Sequence, residues 1–234
     1  VTDVLELHIY DFDGTLFRSP DRPDWWGKSS WVFEPISMNP PCVPPKPGSS
    51  WWISSTVRAA KQSIGNPDVY AVLCTGRPLG SSHRYRIPEL LKQAGLNFNE
   101  IHLNPGGTTK GFKATVANTL LRTYPEVEAL HIWEDAPDNI SAVAKVCKTL
   151  GKVCVPHMVK VSPHPVVCTE EQVQALADEG WVKWKRAAHR VAGRWIGRMA
   201  RRPTPESRAW KADIKAHHPV QGHLELGREH STFG

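Results

Sequence analysis

The chain has 234 residues, 40% of them hydrophobic and 22% charged, with 20 prolines and 10 tryptophans. This composition suits a soluble globular fold rather than a disordered chain, and the length allows one sizeable core with an appendage. No apolar run approaches the ~20 residues of a membrane-spanning helix. The start, Val1-Thr2-Asp3-Val4-Leu5-Glu6-Leu7-His8, has no basic stretch ahead of an apolar one, so no signal peptide is predicted. Five cysteines (Cys42, Cys74, Cys147, Cys154, Cys168) form no Cys-x-x-Cys pair. Odd in number and irregular in spacing, they are expected to be reduced thiols in a cytoplasmic setting. The net charge of +6 is uneven: residues 181–234 hold 12 Lys/Arg against 4 Asp/Glu. The basic character therefore belongs to the tail, as a polyanion-binding appendage or a solubilising surface.

In chain order, Leu5, Leu7 and Ile9 alternate with polar residues and predict a strand with one face in a core. It runs into Asp11-Phe12-Asp13-Gly14-Thr15-Leu16, where Gly14 permits a sharp turn. Two carboxylates on such a turn could supply a nucleophile, a proton-transfer group and metal ligands. The plain alternative is a solvated Asp turn after an edge strand. From 18 to 55 the chain is rich in Trp and Pro, with Trp25, Trp26, Trp31, Trp51, Trp52 and the run Asn39 to Pro47. Proline at that density excludes regular helix or central strand, and the tryptophans argue against disorder. An ordered, irregular flap is predicted, its tryptophans either stacking on an aromatic substrate or packing the flap onto the domain.

Thr56 to Ile64 reads as a helix and Val69 to Cys74 as a strand buried on both faces, ending at Thr75-Gly76-Arg77-Pro78. A helix from about Ile87 to Ala94 stops at Gly95. A strand from Phe98 to Leu103 follows, then the loop Asn104 to Thr109. Phe112, Val116 and Leu120 recur at helical spacing; Leu130 to Trp133 is a strand ending at Glu134-Asp135. Pro137 opens another helix, and Val153 to Val155 is the last strand. Alternation at this spacing predicts a three-layer parallel α/β domain. Thr169 to Gln172 is a capping box for a helix ending near Gly180. Beyond it, Trp181, Trp184, Ala188, Val191, Trp195 and Met199 share one stripe; Lys183, Arg186, Arg190, Arg194, Arg198 and Arg201 share another. That helix admits three readings: docking on the domain, binding nucleic-acid phosphates, or lying on an anionic membrane. His217, His218 and His223 lack a compact metal-ligand framework.

Three strands thus end in polar groups, at Asp11/Asp13, Thr75 and Glu134/Asp135. In open parallel sheets, ligands sit at the carboxyl ends of the strands, so one crevice would collect all three. Lys110 or Lys113, opening the helix after the glycine loop, could reach the same place. The Gly106 to Gly111 loop lacks the Gly-Lys-Ser/Thr order of a P-loop, which argues against a kinase. Carboxylates, a hydroxyl and an ammonium together fit phosphoryl transfer with Mg²⁺, which prefers hard oxygen ligands.

Asp-x-Asp-Gly-Thr, then Thr-Gly-Arg after an apolar strand, a Lys and an acidic pair resembles the haloacid dehalogenase (HAD) phosphohydrolase superfamily. The order Gly48-Ser49-Ser50-Trp51-Trp52, Val72 to Arg77, Arg86-Ile87, Glu89-Leu90-Leu91, Gly95-Leu96, Thr109-x-x-Phe112-Lys113 and Trp133-Glu134-Asp135 is similar to the HAD domain of Swiss Army Knife RNA-repair proteins, over residues 5–157. The resemblance implies that Asp11 is a nucleophile forming an aspartyl-phosphate and Asp13 the acid/base. It implies that Thr75 and Lys113, rather than Lys110, hold phosphoryl oxygens. Asp11, Asp135 and the Asp13 carbonyl would hold Mg²⁺, with Glu134 or Asp138 acting through water. Gly76, Arg77, Trp51, Trp52 and Lys110 are the substrate-side candidates; Arg77 could instead pair with a structural carboxylate. The chain departs from many relatives in lacking an Arg after the acidic pair, which leaves one substrate contact open.

The expected architecture is a Rossmannoid, HAD-like domain over 1–165 with the 18–55 flap, a basic helical extension over 166–202, and a loosely ordered tail over 203–234. The expected function is removal of phosphate, a 3′-phosphate first, from RNA or DNA ends bound through the basic helix; a companion ligase or kinase cannot be read. A small-molecule phosphatase and a non-catalytic nucleic-acid-binding module are the alternatives.

Overall fold

The structure, a computed structural model, describes residues 4–27, 31–165 and 168–178. Five strands form one sheet: β1 (Glu6–Tyr10), β2 (Val69–Pro78), β3 (Glu100–Asn104), β4 (Ala129–Glu134) and β5 (Val153–Met158). Their order is β3-β2-β1-β4-β5 and every pairing is parallel. The connecting helices are α1 (Ser54–Gly65), α2 (His83–Gln93), α3 (Thr109–Thr123) and α4 (Pro137–Thr149), and α5 (Glu170–Asp178) follows. The chain is therefore an α/β protein with helices on both faces of a parallel sheet.

The first strand corrects one expectation. β1 is central rather than one-faced: Leu7, His8, Ile9 and Tyr10 are all buried, and Leu5 lies outside the strand, 57% exposed. Successive side chains of a strand point to opposite faces. Leu7 and Ile9 accordingly join Val116, Ala117 and Leu120 of α3 and Val143 of α4. Tyr10 joins Leu73, Ala60 of α1 and Ile87 and Leu90 of α2 on the other side. Each such side chain removed from water contributes about 1.5–3 kcal/mol, so β1 anchors both layers. A strand gripped on both faces can hold the turn that follows it in place.

Several boundaries move. β2 continues through Thr75-Gly76-Arg77-Pro78, with its register on β3 shifting between Thr75 and Pro78. α2 starts at His83 and carries Pro88 inside, and β5 reaches Met158. The capping box forms: the Thr169 N–H donates to Gln172 Oε1 at 2.9 Å, and the Gln172 N–H to Thr169 Oγ1 at 3.3 Å. The Trp181–Met199 and Lys183–Arg201 stripes, His217, His218, His223 and the 203–234 tail lie outside the described residues. No helix among the described residues is long and apolar enough to cross a membrane.

Among its described residues, the 18–55 segment holds three 3₁₀ turns, Trp31–Phe33, Pro35–Met38 and Ser49–Trp51. Trp26, Trp31, Ile36 and Cys42 form a cluster of their own with Cys168, Val173 and Leu176. Here the cysteine reading is corrected: Cys42 and Cys168 are disulfide-bonded, with Cα atoms 4.6 Å apart, while Cys74, Cys147 and Cys154 are free. Spacing in sequence carries no trace of a pair 126 residues apart. Arg86 ties the proline run to α2. Its buried guanidinium donates to the carbonyls of Met38 (3.0 Å), Pro45 (3.0 Å) and Pro44 (2.6 Å), and it pairs with Glu89 at 2.9 Å. Proline cannot donate, so the run's carbonyls need an outside donor, and a planar fork of N–H groups can serve several at once. Arg86→Met should lower stability by about 2–4 kcal/mol. Arg86→Lys should rescue little of it, read by chemical denaturation.

Candidate active site

The site is assembled where β1 and β4 end side by side. The Asp11 N–H donates to the Trp133 carbonyl at 3.0 Å, which locks the start of the turn to β4. The Leu16 and Phe17 N–H groups return to the Phe12 carbonyl at 3.0 and 2.9 Å, closing the turn. Gly14 has φ +67°, and a Cβ there would run into the Asp135 carboxylate. A side chain at 14 is thus excluded twice, by backbone conformation and by the approach of Asp135.

Lys113 reaches this edge from the first turns of α3. Its side chain is 1% exposed, its Nζ donates to Asp11 Oδ1 at 2.6 Å, and it is also paired with Glu134. Glu134 is held in turn by Asn139 Nδ2 at 3.0 Å and the Ala136 N–H at 3.2 Å, both at the start of α4. The N-terminus of α3 packs closely on the end of β2, since a Cβ on Gly76 would lie 2.7 Å from Thr109 Oγ1. Thr75 is fully buried, 3.5 Å from Asp13 Oδ2. Thr15 Oγ1 lies 3.5 Å from Asp11 Oδ2.

Asp13 faces a different partner. Arg77 Nε donates to both of its oxygens at 3.0 Å and Nη2 to Oδ1 at 2.6 Å. Ser19 donates to the same carboxylate. The remaining guanidinium nitrogen, Nη1, donates to the Val32 carbonyl and the Ser37 hydroxyl of the flap. Arg77 is 2% exposed and makes the carboxylate pairing that was one of its two expected roles, as a buried link between flap and Asp13.

The electrostatics separate the two aspartates. Burial, reinforced by Glu134 and Asp13 and opposed by Lys113, pushes Asp11 up to about 7. Burial also raises Glu134 and Asp135 against the pull of neighbouring positive charge and hydrogen bonds. For Asp13, burial would raise the carboxyl, but the Arg77 charge and the bonds from Arg77 and Ser19 outweigh it and hold the group below its ordinary value. Asp11, Glu134 and Asp135 each place an oxygen within 4.8 Å of the others. Three carboxylates share one ammonium there, so the group is short of positive charge. A hard divalent cation such as Mg²⁺ fits that donor set.

The other candidates are dispersed. Asp138 is exposed in the first turn of α4, outside the carboxylate group. Lys110 is exposed on α3, one turn before Lys113. Trp51 is buried and stacked with Phe17 (5.6 Å) and His164 (3.6 Å), so its ring is not open to a base. Trp52 meets Phe12 and Phe17 edge-on and lines an open groove of about 660 Å³ with Arg58, Lys61 and Gln93. Ser19, Ser37 and Asn139 escaped sequence reading because each acts through another side chain. Lys160, which with Asp135 and Val159 lines a second hollow of about 460 Å³, sits in a loop without pattern.

The model of HAD domain family 1 in Swiss Army Knife RNA repair proteins matches residues 18–179, from just past the Asp11–Leu16 turn to the end of α5. The uncharacterized protein YMR265C of Saccharomyces cerevisiae is 24% identical over 171 residues, 59% of this chain and 36% of that protein. The chain thus spans about a third of that curated relative's length. The Pnkp1/Rnl/Hen1 complex matches 68% of this chain and 48% of its own, with 15% identity and TM-score 0.43. The HAD domain of effector protein Lem4 from Legionella pneumophila matches 74% and 93%, with 12% identity and TM-score 0.43. Because the family match extends over well more than half of the sequence, the chain belongs to HAD domain family 1 of the Swiss Army Knife RNA repair proteins.

Proposed function

We propose that this protein is a Mg²⁺-dependent phosphohydrolase that works through an aspartyl-phosphate and removes phosphate from nucleic-acid ends, a 3′-phosphate first. One observation carries the reading: Asp11, buried at the carboxyl edge of the sheet, is aligned by Lys113 at 2.6 Å and crowded by Glu134 and Asp135. Asp11 attacks the phosphorus, the P–O bond to the leaving oxygen breaks, and that oxygen takes a proton from Asp13. Water then gives a proton to Asp13 and attacks the phosphorus, releasing inorganic phosphate and free Asp11. Thr75 and Lys113 face the transferred oxygens, while Glu134 and Asn139 keep Lys113 in position. Asp11, Asp135 and the Asp13 carbonyl would hold Mg²⁺, which would supply positive charge against the phosphoryl oxygens. Asp13 starts ionised under the Arg77 fork. The charge of an arriving phosphate favours uptake by Asp13 of a proton from solvent, the proton it then gives to the leaving oxygen.

Membership in an RNA-repair family supports nucleic-acid ends as substrate, as does the basic sequence of 181–234. The chemistry alone would equally serve a nucleotide or sugar phosphate. Matched oligonucleotides ending in 3′-phosphate or 5′-phosphate, beside a panel of small phosphate esters, separate these substrates. We expect Mg²⁺-dependent release from the 3′-phosphate, abolished in Asp11→Asn and slowed on the order of 10²–10³-fold in Lys113→Ala. Release confined to small esters would remove the nucleic-acid assignment. Oligonucleotide binding without any release would remove the enzymatic one.

Two pH effects follow from the charges. A carboxyl raised by folding favours the fold while protonated, and that contribution is lost as pH rises through about 7 for Asp11. The metal-free protein should therefore lose melting temperature progressively as pH rises from about 4 to about 7. Mg²⁺ should offset the loss, and Asp11→Asn should flatten the profile. For Asp13 the sign is opposite, since Arg77 holds it low. Arg77→Gln should raise Asp13 and move the alkaline limb of the pH–rate profile upward in steady-state assays.

A further inference from the structure

A second cluster lies on the same two strands, away from the carboxylate edge. Glu6 and His8 of β1 and His131 of β4 point to one face of the sheet, where His8 and His131 are register partners. One ligand atom from each lies within 4.8 Å of the others. At about 3.3 Å per residue, His8 and His131 each sit about 10 Å before the carboxylates Asp11 and Glu134. The helices on this face pack on β1, β2 and β3, and His131 and His157 are half-buried beyond them.

The hydrogen bonds orient these rings. Ser63 Oγ lies 2.7 Å from His8 Nδ1, 2.7 Å from the Tyr10 hydroxyl and 3.1 Å from the Ala59 carbonyl, so a hydroxyl holds one nitrogen of the His8 ring. The other, Nε2, lies 2.8 Å from Glu6 Oε2. On the far side, His157 of β5 bonds His131 Nδ1 at 3.0 Å and stacks on Trp133 at 4.0 Å, which holds the His131 ring. A ring whose second nitrogen is held by a neighbouring group is the usual arrangement of a metal-ligating histidine.

We propose that Glu6, His8 and His131 form a second metal site, selective for a borderline transition ion of the zinc type. Two imidazoles and one carboxylate match that class of ion and suit Mg²⁺ poorly. The ion would join β1 to β4 below the catalytic edge, with Glu6, 47% exposed, as its side of access. This proposal stands apart from the phosphohydrolase reading, because no residue is shared between the two sites.

The test uses full-length, tag-free, metal-stripped protein titrated with Co²⁺. An ion held by nitrogen at low coordination gives intense visible d–d bands, whereas an oxygen-only six-coordinate site gives weak ones. We expect one intense-band equivalent, displaced by Zn²⁺, lost in His131→Ala and weakened in Glu6→Gln, whose side chain lies outside the core. His157→Ala should weaken binding about 10–100-fold. Asp11→Asn and the triple variant His217→Ala/His218→Ala/His223→Ala should keep the band. A weak six-coordinate spectrum, a band that survives both His131→Ala and Glu6→Gln, or loss in the tail variant would overturn the assignment.

Discussion

Everything at the carboxyl edge depends on one buried ammonium. Lys113 stands between Asp11 and Glu134 at 1% exposure, and without it two carboxylates would face each other with no charge to balance them. Burying a charge is costly unless it is paired and hydrogen-bonded. The surroundings answer that requirement piece by piece. Gly76 lets Thr109 approach the end of β2, which sets the start of α3. Asn139 and the Ala136 N–H occupy the Glu134 oxygen that Lys113 leaves free. The central position of β1, buried on both faces, keeps Asp11 from moving out of this arrangement.

The second aspartate is tied to the flap instead. Arg77 bridges Asp13 to Val32 and Ser37, and Arg86 fastens the proline run of the same flap to α2. Two buried arginines therefore connect an irregular segment to the regular domain. Their forked donors suit a stretch rich in carbonyls and poor in N–H groups. The protonation of Asp13 is thereby coupled to the seating of the flap. Asp11 and Asp13, two residues apart, are thus pushed in opposite directions by their surroundings.

The sheet also presents two chemistries on one pair of strands. Oxygen donors gather at its carboxyl edge, and imidazoles gather on one face about three residues earlier. Hard and borderline metal ions would be sorted between them by donor type alone. The ring stack Tyr10–Trp133–His157, with spacings of 4.2 and 4.0 Å, runs across β1, β4 and β5 between the two.

Much was legible in the sequence, for a physical reason. Strands buried on both faces read as apolar runs, helices as 3.6-residue periods, and a glycine turn after a strand marks the carboxyl edge of a parallel sheet. That placed five strands and the Asp11, Thr75, Lys113 and Glu134 set at one edge before any coordinates. It also left Lys113 and Lys110 separable only by resemblance. Contacts made across long separations had no local signature. Arg77 pairing with Asp13, Trp51 stacked with Phe17 and His164, Cys42 joined to Cys168 and His8 facing His131 all arise from chain crossings. Sequence by itself determined which residue types stand at the ends of strands, because periodicity is a property of neighbours. Only the tertiary structure decided which charge meets which, because that depends on distances across the sheet and flap that no local pattern encodes.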